Sequence, residues 1–124
     1  MQGESEIRTN WTKSLYDRVM DQTLTREDIV IWLKAQGLVK HLVEHGALTE
    51  KDLEHTADCM YHIYMWYWND LPVGHFLTAV LKNDFIEACC RADSTNKMLL
   101  SMYALFLYNA MPIDYRRKAR SLRE

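Results

Sequence analysis

Between positions 59 and 68 the chain reads C-M-Y-H-I-Y-M-W-Y-W; half of these residues are Tyr or Trp and none is Asp, Glu, Lys or Arg. The stretch predicts the middle of a helix that begins near Glu50. Thr49 is a good N-cap with Asp52 three residues on, and Glu50 and Asp52 both complement the positive end of the helix dipole. Leu53, Ala57, Met60, Tyr64 and Tyr67 then recur at helical spacing as one core-facing stripe. Tyr61, Ile63, Met65, Trp66 and Trp68 lie outside that stripe. This half of the helix is therefore apolar nearly all round and is expected to be covered on several sides.

The remainder of the chain offers helices to do the covering. Period-two alternation is absent, and the 4 Gly and 2 Pro are too few for a strand-and-turn architecture. Residues 1–9 carry little apolar material and are expected to form a flexible N-terminus. Asn10 caps a short helix with Trp11, Leu15 and Val19 on one face. Thr25 and Asp28 open a second, with Ile29, Trp32, Leu33 and Gln36 inward and Gly37 ending or bending it. Helical spacing continues with Val39, Leu42 and Val43 inward as far as Gly46, a natural residue just past a helix end. Residues 69–74 break the chain after the aromatic helix. Positions 76–82 and 84–91 read as two short helices or one interrupted at Asn83. Asp93 or Ser94 then caps a last strong helix, which Pro112 terminates and whose polar edge is Lys97, Ser101 and Tyr108. Asp114 starts a basic helix over 115–122. The expected fold class is all-α: a compact single domain over residues 10–124, a bundle of six or seven helices in which two, about 50–69 and 95–111, are central.

Charge is unevenly spread. Residues 1–58 carry 7 Lys and Arg against 11 Asp and Glu, whereas residues 94–124 carry 6 against 2. The whole chain is at −2, which argues against a protein devoted to coating nucleic acid or an anionic membrane. Cys59, Cys89 and Cys90 cannot form a fully paired disulfide framework, so a reducing, cytoplasmic setting is expected. The longest nearly apolar run, 98–111, is interrupted by Ser101 and Asn109 and is too short to span a bilayer, so no membrane association is expected.

Motifs for chemistry are sparse. His41, Glu44 and His45 match the string H-x-x-E-H, in which two histidines would share a zinc ion and the glutamate would act as base. Gly46 ends the helix at once, and a histidine near a helix C-terminus is favoured by the dipole in any case. His55, Cys59 and His62 fall within a narrow arc opposite the core stripe and are possible ligands for zinc or copper; the plainer reading is a small core cysteine and a histidine packed beside Trp66. Cys89 and Cys90 lack C-x-x-C spacing, and there is no phosphate-binding glycine loop, dinucleotide fingerprint or nucleophile elbow. The chain is read as non-enzymatic, with no metal and no other cofactor. Arg116, Arg117, Lys118, Arg120 and Arg123 are candidates for contacts to phosphates or to an acidic partner, or simply a solvated helix.

The segment 71–84, L-P-V-G-H-F-L-T-A-V-L-K-N-D, continued by Arg91-Ala92-Asp93, Asn96 and Tyr108-Asn109-Ala110-Met111-Pro112, resembles a pattern in small α-helical proteins of unknown function encoded by phages and related mobile elements. It covers about a third of the chain and departs after Pro112, where Ile113-Asp114-Tyr115-Arg116-Arg117 replaces a Cys-Trp-Gly-type segment. The resemblance implies a compact helical fold and a mobile-element origin, and it carries no activity. Its polar residues also have a structural reading: Asn83 and Asp84 cap the helix bearing Phe85, Ile86 and Cys89, Asp93 and Asn96 hold the next turn, and Arg91 braces Asp84 or Asp93.

Four Trp, seven Tyr and seven Met exceed what a core of this size requires, and such residues favour interfaces. The expected function is that of a binding protein which inhibits or redirects a host protein complex in the bacterial cytoplasm, for example a defence effector in the manner of an anti-CRISPR. The faces expected to bind are Trp66, Trp68 and His62, or Trp11 and Tyr16, or the basic tail. The alternatives are a nucleic-acid-binding accessory protein using the C-terminal helix, and a self-associating protein whose aromatics fill a homodimer interface.

Overall fold

Reciprocal pairs of a hydroxyl and a carboxylate three residues apart decide where the chain turns helical. The computed structural model describes residues 14–123. In α1 (Leu15–Met20), α2 (Arg26–Lys34) and α4 (Glu50–Asn69) the caps are Ser14, Thr25 and Thr49. Each side chain accepts from the backbone N–H three residues on, where Asp17, Asp28 or Asp52 accepts from the cap in return. One such cap contributes about 1 kcal/mol. At α4 the Thr49 N–H donates to Asp52 Oδ2 at 2.8 Å and the Thr49 hydroxyl at 3.0 Å, and these bonds hold the Asp52 carboxyl below its usual range. α1 opens at its cap Ser14; the flexible N-terminus expected over residues 1–9, the Asn10 cap and Trp11 lie outside the described residues.

Gly37 neither ends nor bends α2. It is the first residue of α3 (Gly37–Glu44), and the corner falls just before it, where Gln36 is extended. Gly46 closes α3 as expected: at φ +74° it turns the chain so that the Ala47 N–H reaches the Leu42 carbonyl at 2.8 Å. Val39 is buried and Leu42 half-buried, but Val43, expected inward, is exposed, because α3 lies at the periphery and presents one row to the core.

The aromatic helix is the hub. Leu53, Thr56, Ala57, Met60, Ile63, Tyr64 and Trp66 of α4 are buried, and Tyr61, Met65, Tyr67 and Trp68 are partly buried against the same core. Its principal neighbour is α2. After the break at 70–74 come α5 (His75–Leu81) and α6 (Phe85–Arg91), separated by Asn83 in the left-handed region at φ 58°. Asn83 thus ends α5, and Asp84 alone caps α6 by accepting the Glu87 N–H at 3.2 Å.

The single helix expected over 95–111 is two, α7 (Ser94–Met98) and α8 (Leu100–Asn109). The chain tightens at Leu99, whose N–H reaches the Asn96 carbonyl at 3.1 Å while its own carbonyl accepts from Met102 at 2.9 Å. Both Leu99 and Asn96 are buried at this joint. Trp32 of α2 meets Phe106 edge-on at 6.1 Å and Phe76 of α5 meets Tyr103 at 5.2 Å, so α8 is wedged between α2 and α5. The last helix, α9 (Tyr115–Ala119), buries Tyr115 and Ala119 and stops before 122. Among the described residues the fold is all-α, with nine helical segments and no strand; the excess over six or seven comes from short helices that sequence periodicity merges.

Thr56 stands out within this core. It is fully buried, and its hydroxyl has no partner among the described residues. Thr56→Val keeps the branched shape and removes an unsatisfied polar atom, so it is expected to stabilise the protein by about 1 kcal/mol. The urea midpoint should rise at constant slope; a fall would show that the hydroxyl is bonded in solution.

Candidate interaction surface

The cluster around Cys59 is built by three helices. His55 and Cys59 lie one turn apart on α4; Asp93 caps α7, accepting the Asn96 N–H at 2.8 Å, and Tyr103 of α8 donates to Asn96 Oδ1 at 2.6 Å. Cys59 Sγ is 3.9 Å from His55 Nε2, and that same nitrogen is 3.1 Å from Asp93 Oδ2. A proton on Nε2 satisfies Asp93 and leaves the one ring nitrogen near the thiol without a lone pair to take up its proton. Burial raises the Cys59 pKa, and it also pushes the Tyr103 phenol far above its usual range. The thiol is thus not activated. His62, the third residue of the proposed arc, turns instead to Asp58 at 3.6 Å. His45 Nδ1 lies 2.9 Å from the His41 carbonyl, within the same helix end. Among the described residues no three of His, Cys, Asp and Glu converge to hold a metal ion. Arg91 pairs with Glu87 one turn back rather than with Asp84 or Asp93.

The aromatic face expected on α4 is mostly consumed inside. Trp66 is 4 % exposed and belongs to the core, so it presents no binding surface. Trp68 is partly buried, and its indole N–H donates to the Val19 carbonyl at 2.8 Å, tying α1 to α4. His62 remains half-exposed, and Tyr16 is exposed; Trp11 lies outside the described residues. The run is buried this thoroughly because α4 receives neighbours on more than one side.

Tyr67 donates to Asp114 Oδ1 at 2.7 Å, and chiefly for this reason its pKa is pushed up to about 12 from 10.0. A folded-state pKa above the unfolded one means that this group's contribution to stability is complete below pH 10 and is lost as pH rises toward 12. The stability difference between the parent and Tyr67→Phe is therefore expected to shrink across that window in thermal melts; a constant difference would show that the hydrogen bond does not form.

The basic tail divides. Lys118 is not available as a phosphate contact, because its Nζ donates to the Trp66 carbonyl at 2.7 Å, the Tyr67 carbonyl at 3.0 Å and Asp70 Oδ1 at 2.5 Å, and sits 5.2 Å from the Trp66 ring centre. It caps the negative end of α4. Arg116, Arg117, Arg120 and Arg123 are exposed, and none has an ion pair among the described residues.

Two of these arginines border an open groove of about 810 Å³ between the end of α5, α6, α8 and α9. Ala88, Leu107 and Met111 lie in its floor. Phe85, Tyr108 and Ile113 line it while remaining 72 %, 83 % and 78 % exposed. Ile86, beside Phe85, is 74 % exposed. Local structure forces this display: Asp84 starts α6 so that Ala88 and Ala92 turn inward, and Met102, Tyr103, Phe106 and Leu107 occupy the inner side of α8, leaving Tyr108 outside. A cluster of this kind marks an interaction site more often than a bare surface. The sequence held one signal for it. Tyr108 already lay on the expected outer edge of its helix, although counted there as polar.

The chain matches no family model, no curated protein and no solved structure. No helix among the described residues is long and apolar enough to cross a membrane.

Proposed function

We propose that this chain is a non-enzymatic binding protein of phage or mobile-element origin that docks its apolar groove on a host protein complex in the bacterial cytoplasm and inhibits or redirects it. A defence effector is the kind of complex such a protein would serve, in the manner of an anti-CRISPR. The observation that carries this reading is the convergence of Phe85, Tyr108 and Ile113, all largely exposed, on one concave surface. Folding gains nothing from leaving three large apolar side chains in water, whereas an interface gains their burial.

The test is affinity capture from nuclease-treated bacterial lysate with the parent and a Phe85→Ser/Tyr108→Ser variant. A host protein held by the parent and lost by the variant supports the reading; retention by both, or by neither, refutes it. The exposed Arg116, Arg117, Arg120 and Arg123 favour a second reading, nucleic-acid binding. That reading requires steeply salt-dependent binding of DNA or RNA that is lost when these arginines are replaced by serine.

A further inference from the structure

We infer that the groove receives an amphipathic helix of a partner protein, with apolar anchors along one face and carboxylates flanking them. This rests on the groove being the functional face, and it follows from the charges left unspent around it. Four side chains that are charged at neutral pH line the groove: Lys82, Asp84, Arg116 and Arg120. Lys82 Nζ donates to the Leu122 carbonyl at 2.6 Å, and Asp84 accepts the Glu87 N–H at the start of α6. None of the four has an ion pair among the described residues, and the guanidinium groups of Arg116 and Arg120 have no hydrogen bond there either. They lie four residues apart on α9 and its helical cap residue, so both project along one edge. Carboxylates one turn apart on a partner helix repeat that spacing.

The floor between them determines what else the occupant must be. Ala88, Leu107 and Met111, walled by Phe85, Tyr108 and Ile113, offer burial to aliphatic or aromatic side chains. An i, i+3/i+4, i+7 row of anchors fills such a trough, whereas a peptide held by strand addition would need a sheet edge, and the described residues contain no strand. Phosphodiesters would find three cations beside the Asp84 carboxylate and an apolar floor, on a chain of net charge −2. A second copy meeting this groove across a two-fold axis would present the same charged lining, Lys82, Arg116 and Arg120 against Asp84 alone, and so offers no acidic complement.

Fluorescence anisotropy with the full chain tests the assignment, using three labelled probes: a helix-forming peptide with a Leu/Phe stripe flanked by Glu, the same stripe flanked by Lys, and a scramble of the first. The parent is expected to prefer the Glu-flanked peptide by about tenfold, to ignore the scramble, and to reverse its preference in the variant Arg116→Glu/Arg120→Glu. Equal affinity for the Glu and Lys peptides overturns the inference, as does binding of the scramble. So does a single-stranded oligonucleotide that binds where the peptide does not, or concentration-dependent self-association abolished by Tyr108→Ser. Circular dichroism melts of the charge variant check folding. Host-protein capture that depends on Phe85 and Tyr108 yet is indifferent to Arg116→Glu/Arg120→Glu would sink the acidic-helix occupant and leave the binding-protein reading standing.

Discussion

Phe85→Ser/Tyr108→Ser is expected to weaken partner binding by about a hundredfold or more and to leave the melting temperature almost unchanged. Each ring projects from its helix with most of its surface in water, at 72 % and 83 % exposure, so its removal opens no cavity and breaks no core contact of consequence. Surface changes of this kind stay within about 0.5 kcal/mol in stability. At an interface the same rings are anchors: an aromatic hot spot contributes about 2–4 kcal/mol on truncation, and two of them exceed a hundredfold even if they share part of their energy. Titration of the captured partner against both proteins, alongside thermal melts, separates the two effects. A variant that binds as the parent does would remove the groove from consideration.

Trp66→Ala is expected to do the opposite, with the largest stability loss of any single tryptophan change in the described residues. Truncating a buried Trp costs about 3–5 kcal/mol, against a total of about 5–15 kcal/mol for a domain of this kind. At Trp66 the cost includes the Lys118 ammonium over the ring and the edge contact with Tyr67. Lys118 would also lose its seat at the end of α4, where it bonds the Trp66 and Tyr67 carbonyls. Denaturant unfolding measures the loss; partner binding should fall only in proportion to the unfolded fraction and recover in a stabilising osmolyte. An intact melting curve with lost binding would return Trp66 to the surface. Trp68→Phe, which forfeits one hydrogen bond to Val19 and little volume, should cost about 1 kcal/mol.

The contrast between these two variants shows where sequence reading reached its limit. The capping pairs Thr25 with Asp28 and Thr49 with Asp52, the αL turn at Gly46 and the stop before Pro112 are local events within a few residues, and the structure has them where the sequence places them. The surplus of aromatic residues was equally visible, but not its destination. Counted as that surplus, Trp66 and Trp68 read as a binding face even though cover on several sides is expected for this helix; the neighbours of α4 bury Trp66 and, in part, Trp68, so neither ring is left over. The apolar surface that does reach water includes Phe85 and Ile86 on α6, Tyr108 on the outer edge of α8 and Ile113 just beyond it.

Lys118 illustrates the same division within a single run of charges. Read as a string, it is one of five equivalent cations. Folded, it alone lies against the end of α4 and spends its hydrogen bonds there, while Arg116 and Arg120 border the groove. By itself the sequence determined the all-helical class, the caps and the central place of residues 50–69, because those depend on hydrogen bonds and side-chain spacing within one or two turns. Only the tertiary structure decided which aromatic rings are buried and which cations are free. That outcome depends on what each helix face meets across the core, and partners from remote parts of the chain leave no mark in local spacing.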